Sequence, residues 1–286
     1  MRLLSLKEFP DYKPDVEFKS PWLDRLLVTI VVVMAGIALL IAPHYPIFGK
    51  KLPAWWCYLA GALLGLMRLL YLSAFRKSLR PTNWLLRSSG NRIWIKFRSF
   101  LNDHLPIDET QIIEIERNEV AWVRQSGIKM VFLASGGKAG WTTRLQTMKC
   151  LDIGLTQRDT DLLDAQLRME EQHPGAGKYG IRSKSGHYPV SVPMPGVIRV
   201  LWSDPNGRIK PSSDQAIEFF ARWARIEPLQ LLTIDCTPKA IAELTEPEQR
   251  LRLRDLNRIN GSSAIHVVQE LRKCSLANAM AHLKEI

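Results

Sequence analysis

The stretch "GALLGLMRLLYLSAFRKSLR", residues 61–80, places one arginine, Arg68, inside an otherwise uncharged apolar run. Between Leu26 and Ala74 there is no acidic residue, and the basic residues are Lys50, Lys51 and Arg68. Upstream, "LLVTIVVVMAGIALLIA" (26–42) is 17 residues with Thr29 as its most polar member. A helix needs about 20 apolar residues to cross roughly 30 Å of hydrocarbon. Two such runs separated by nine residues predict a two-helix transmembrane hairpin over 26–75. The mean hydropathy of −0.08 averages this segment with a polar remainder.

A cleaved signal peptide fits the first run poorly. The first 25 residues hold five basic and five acidic side chains, and "PHYPIFGKK" runs into the second apolar stretch without a small-residue cleavage site. Lys and Arg set the orientation: five in 1–25, two in the hairpin loop, and seven in 76–98. The expected location is the bacterial inner membrane, multi-pass, with both termini cytoplasmic. Arg68 lies seven residues before Phe75, about 10 Å of helix rise, within snorkelling reach of the headgroups. Arg68, Trp55 and Trp56 therefore read as membrane anchors. Gly61 and Gly65 form a G-x-x-x-G that lets helices approach closely, within the hairpin or across a homodimer.

The net charge is +11, and its excess is concentrated after the second run. Arg76, Lys77, Arg80, Arg87, Arg92, Lys96 and Arg98 occur with no acid before Asn102. In "RIWIKFRSF", Ile93, Ile95 and Phe97 alternate with polar residues, as in a half-buried strand. These seven basic residues are expected on a solvated face against anionic lipid headgroups of the bilayer. More strand-like segments follow, punctuated by Gly127, Gly136-Gly137 and Gly140. A helix comes next, with Thr156 as N-cap and Leu162, Leu163, Leu167 and Met169 as its apolar stripe. "LRSSGNRIWIKFRSFLN" and "IIEIERNEVAWVRQ", in that order of elements, resemble bacterial membrane proteins in which two transmembrane helices precede a cytoplasmic PH-like domain. Photosystem-I assembly proteins share that plan. The resemblance implies a PH-like β-barrel of about seven strands with a closing helix, and brings no catalytic or ligand residue.

The expected class is a membrane-anchored α+β chain. It divides into a cytoplasmic tail (1–25), the hairpin (26–75), the PH-like β domain (76–173), a linker (174–195) and a small α/β-helical module (196–286). In that module "VIRVLW" and "LQLLTIDC" read as strands flanking a helix capped by Ser212 with Gln215. Thr245 and Glu248 form a second capping box, and Gly261 stops one helix before Ser262 or Ser263 starts the next. "SAIHVVQELRKCSLANAMAHLKEI" is similar to the helix pair of the ribosomal stalk protein's C-terminal domain. Ala264, Val268, Glu270, Leu271, Arg272, Ser275, Leu276 and Ala279 match, and Cys274 stands where turn glycines are expected.

Chemistry is sparse. "GAGKYG" (175–180) fits G-x-G-x-x-G but neither follows a strand nor opens a helix. "SGGK" (135–138) has S-x-x-K spacing without companion motifs. The six histidines form no ligand pair, and the four cysteines form no C-x-x-C. Asp235-Cys236 unites an acid and a thiol, read as a capping acid and a structural thiol. No catalytic residue, cofactor or metal is assigned. Arg250, Arg252, Arg254 and Arg258 scatter around a helix rather than lining one face, and Glu246, Glu248 and Asp255 dilute their charge, which argues against nucleic acid. The expected function is a non-enzymatic, membrane-tethered adaptor or assembly factor that binds a partner protein. The alternative is an enzyme or ligand-sensing regulator with a site within 195–236.

Overall fold

The structure is a computed structural model; it describes residues 1–9, 13–19, 22–41, 55, 58–62, 79, 82–99, 102, 105–135, 140–172, 188–204 and 207–285. Strands β1 (Arg2–Ser5) and β2 (Val16–Phe18) precede helix α1 (Trp22–Ile41). Five strands follow: β3 (Leu86–Ser89), β4 (Arg92–Lys96), β5 (Thr110–Glu116), β6 (Val120–Ser135) and β7 (Trp141–Leu155). After α2 (Asp161–Gln172) come β8 (Val190–Met194), β9 (Val197–Leu201), β10 (Ser203–Asp204) and β11 (Gly207–Arg208). Then α3 (Ser213–Phe220) leads to β12 (Arg225–Asp235). The chain ends in four helices, α4 (Pro238–Ala242), α5 (Glu246–Ile259), α6 (Gly261–Arg272) and α7 (Leu276–Glu285).

The first five-stranded sheet has the order β1-β5-β4-β3-β2 and is antiparallel throughout. The second has the order β12-β6-β7-β9-β8, with β12 parallel to β6. The alternation seen in the sequence holds for one face: Ile93, Ile95 and Phe97 are wholly buried between the sheets, with Ile113 and Ile115 beside them and Leu151, Ile153 and Val200 opposite. Phe18, Trp202, Phe219 and Phe220 close one end of this core, with Phe18 and Trp202 ring centres 5.1 Å apart. A second core lies under the C-terminal helices. There Met130, Phe132 and Ala134, on the far half of β6, pack against Leu253, Leu256, Ala264, Val267 and Ala279.

Several expectations are corrected. Neither sheet closes into a barrel, so the PH-like barrel gives way to two open sheets packed face to face. The segments read as separate short strands merge into two long ones of 16 and 15 residues. Gly127 does not break β6; a Cβ there would meet the Leu231 side chain of β12 at 2.7 Å, so the glycine admits the neighbouring strand. Residues 1–25 are no free tail, because β1 and β2 form both edges of the first sheet. Likewise the module expected over 196–286 is not separate, since its strands β9 and β12 belong to the sheet of β6 and β7.

The expected membrane hairpin and inner-membrane location are also overturned. Among the described residues no helix is long and apolar enough to cross a membrane. Helix α1 begins with Trp22, Asp24 and Arg25, so its uncharged part, 26–41, rises only about 24 Å against a hydrocarbon thickness of about 30 Å. Its Leu27, Val31 and Met34 are exposed, and it adds no side chain to either core among the described residues. Trp55 is exposed and Gly61 is helical; Trp56, Gly65 and Arg68 lie outside the described residues.

A buried polar tie at the edge of the first core is Arg98, 1% exposed. Its Nε and Nη2 donate to the two Glu170 carboxylate oxygens at 2.7 and 2.6 Å, Nη1 donates to Pro106 O at 3.0 Å, and Glu109 also pairs with it. Glu170 is 2% exposed, so α2 is pinned to the end of β4 by a desolvated ion pair. Removing one partner of such a pair leaves an uncompensated buried charge. Arg98→Met is expected to lower unfolding free energy by about 3–5 kcal/mol in urea titration, whereas Arg168→Met, an exposed i,i+4 pair with Asp164, should change it by under about 1 kcal/mol.

Candidate functional site

The seven basic residues expected on a lipid-facing surface have other roles where they are described. Arg76, Lys77 and Arg80 lie outside the described residues. Lys96 is 5% exposed and donates to Thr82 O at 2.9 Å, and Arg98 is buried as above. Arg87 pairs with Glu17 at 3.1 Å and lies 4.8 Å over the Trp84 ring; Arg92 pairs with Glu114 at 3.1 Å. The solvated face fails because residues 1–9 cover it. Leu4 and Phe9 pack with Trp84, Trp94 and Ile112 on the side of the sheet opposite the main core. Strand alternation showed which residues share a face, but not that both faces are covered.

The remaining sequence candidates are quickly placed. "GAGKYG" and residues 136–138 of "SGGK" lie outside the described residues. Among the described residues no group of His, Cys, Asp and Glu could hold a metal ion. Asp235 accepts from the Thr237 backbone N–H at 2.9 Å, a turn-forming role that leads into α4. Cys236 is fully buried, and burial pushes its thiol up to about 12, so it stays protonated and unreactive at neutral pH.

A cleft lies on the face of the second sheet turned away from the first. Its volume is about 320 Å³. Strand alternation builds the floor: Ile128 on β6, Met148 and Cys150 on β7, Arg199 and Leu201 on β9, and Gln230, Leu232 and Ile234 on β12. One wall is α2 and the chain entering β8, with Asp164, Leu167, Arg168 and Tyr188. The other is α5, with Leu251, Arg254, Asp255 and Ile259. The capping box of Thr245 with Glu248 fixes where α5 starts, Thr245 N–H donating to Glu248 at 3.0 Å. Asn260 both ends α5 and caps α6, accepting from Ser263 N–H at 3.1 Å; Gly261 is the first residue of α6 rather than a stop.

Beside the cleft a buried carboxylate organises the floor. Asp152, 0% exposed, accepts from Arg199 Nε and Nη2 at 2.7 and 2.8 Å, from Ser126 Oγ at 2.6 Å and from Arg124 Nη2 at 3.2 Å. Burial raises its pKa, but the Arg199 fork, then Ser126 and Arg124, more than offset this, so the carboxyl stays below its ordinary value. Arg199 is thereby committed to Asp152 while its side chain lines the cleft.

No protein-family model, curated protein or solved structure matches the chain. Gln230 and Arg199 fall within 195–236, where a ligand site was the alternative expectation; the α5 wall was missed because nothing in the sequence shows that it folds back over β7 and β12. The alternation of Met148, Cys150 and Asp152 was the available signal for the floor.

Asp152→Asn would leave Arg199 and Arg124 facing a neutral group. The expected loss is about 3 kcal/mol at pH 7 in urea unfolding. A carboxyl whose folded pKa is depressed contributes stability that is present above its unfolded pKa of about 3.9 and lost as pH falls through the folded value. The gap between the two proteins should therefore shrink below about pH 4 and be constant from pH 6 to 8.

Proposed function

We propose that this chain is a non-enzymatic, ligand-responsive adaptor: the cleft takes a small molecule, and the C-terminal helices carry its occupancy to a partner protein. The observation that carries this reading is the cleft's composite wall. Its floor belongs to the second sheet, while α5 belongs to the helical layer packed on the far half of β6. A molecule in the cleft would contact both, and so would bias how firmly the helices sit on the sheet. A volume of about 320 Å³, mostly apolar with a few polar groups, is at the small end of ligand sites. Binding rather than catalysis fits the local chemistry: the Cys236 thiol stays protonated, and Asp152 is closed in by four hydrogen bonds from three side chains. Helix α7 exposes Leu276 and Met280, apolar side chains suited to a protein contact. A lipid-facing basic surface forms no part of this reading, because Lys96 and Arg98 are buried.

The test uses 1-naphthol, a neutral probe of suitable size, with the full chain. One molecule should bind per chain and slow amide exchange in both 188–194 and 246–259. Leu201→Trp, which fills the floor, should abolish both effects. Binding that leaves 246–259 unprotected, or no binding at all, would contradict the proposal.

A further inference from the structure

Three arginines line the cleft, and they are not equivalent. Arg199 is committed to Asp152, and Arg168 pairs with Asp164 at 2.6 Å on the same helix. Arg254, half-buried on α5, has neither an ion pair nor a hydrogen bond among the described residues. Across the floor, the Gln230 side-chain oxygen is buried without a hydrogen-bond partner among the described residues. A half-turn about the last side-chain bond exchanges the amide's oxygen and nitrogen, so this group can equally present its two N–H donors. The wall acids are accounted for: Asp164 holds Arg168, and Asp255 has an interaction of its own. The cleft thus combines an apolar floor with a cation and an amide whose hydrogen-bonding capacity is unused.

We infer that the cleft binds a small amphipathic monocarboxylate, its head on Arg254 and Gln230 and its apolar body over Ile128, Met148, Leu201 and Leu232. This rests on the cleft being a ligand site, as proposed above, and names what it takes. A carboxylate supplies the acceptors that a guanidinium fork fits, in a site where water is partly excluded. A neutral ligand would leave the partly desolvated Arg254 unpaired, and a cationic one would be repelled by it. At about 30 Å³ per water-sized group, 320 Å³ holds about ten heavy atoms, so the apolar body is a short alkyl chain or a single ring. No covalent step is involved.

The experiment is calorimetric titration of the full chain with octanoate, 1-octanol and octylammonium, all of that size. Octanoate should bind one per chain, about tenfold or more tighter than octanol, as expected for a hydrogen bond to a charged group. Octylammonium should be the weakest. Arg254→Gln should remove the octanoate advantage and leave octanol unchanged; Arg254→Lys, which keeps the charge but not the fork, should fall between. Should octanol match octanoate while Leu201→Trp blocks both, the cleft stands as a ligand site and the carboxylate assignment falls. Octanoate binding indifferent to both Arg254→Gln and Leu201→Trp would place it elsewhere and overturn the inference. Failure of octanoate to bind also overturns it, with the 1-naphthol result deciding the broader reading independently.

Discussion

Everything in this molecule hangs on the pairing of β6 with β7. Fifteen residue pairs, from Val120 with Leu155 to Ser135 with Trp141, make an antiparallel ribbon about 50 Å long, with one irregularity between Val120 and Trp122. Its near half supplies Val123, Leu151 and Ile153 to the core between the sheets. Its far half supplies Met130, Phe132 and Ala134 to the core beneath the helices. β12 lies along it in parallel from Trp122 to Val131, crossing from one core to the other. A strand pair longer than either core is what lets two hydrophobic clusters share one sheet.

The cleft is a consequence of that arrangement. Helix α2 is held at one end of the sandwich by Arg98 and Glu170, while α5 is held over the far half of the ribbon by Leu253 and Leu256. Between them the outer face of the second sheet is left uncovered, and its side chains become the floor. The same face carries Asp152, whose burial beneath Arg199 and Ser126 keeps a charged group inside the sheet at low cost by saturating its acceptors. The proposed ligand site thus lies where the two packing units fail to meet.

Local signals in the sequence were legible where local physics decides them. The capping boxes at Ser212 with Gln215 and Thr245 with Glu248 form as their spacing implies. What could not be read is non-local. Alternation at Ile93, Ile95 and Phe97 identified a buried face, but Trp94, Lys96 and Arg98 are buried too: the first nine residues return to cover Trp94, Lys96 is tied to Thr82 O, and Arg98 is held by Glu170 of α2. Within a basic run that looked like a membrane-facing surface, Arg87, Arg92 and Arg98 instead pair with Glu17, Glu114, Glu109 and Glu170, acids 11 to 72 residues away in sequence. Gly127 read as a break because its partner, Leu231, arrives from more than 100 residues downstream. Similarly, the N-cap expected at Thr156 gives way to a helix starting at Asp161, since Thr160 is drawn inward to accept from Gly196 N–H. The cleft's floor was readable as a strand face; its α5 wall depends on a chain reversal that no local pattern encodes.

The central claim is that the ribbon couples the two cores, so that the cleft between α2 and α5 responds as one unit. Native-state amide exchange on the full chain carrying Leu256→Ala tests it most directly. Leu256 is fully buried in the helical core, and its truncation should cost about 2–5 kcal/mol. Coupling through β6 and β7 predicts that amides of 151–155, in the distant half of β7, lose protection by a comparable amount. Unchanged protection at 151–155, with loss confined to 246–285 and the ribbon's far half, would show that the helices open independently and would contradict the account.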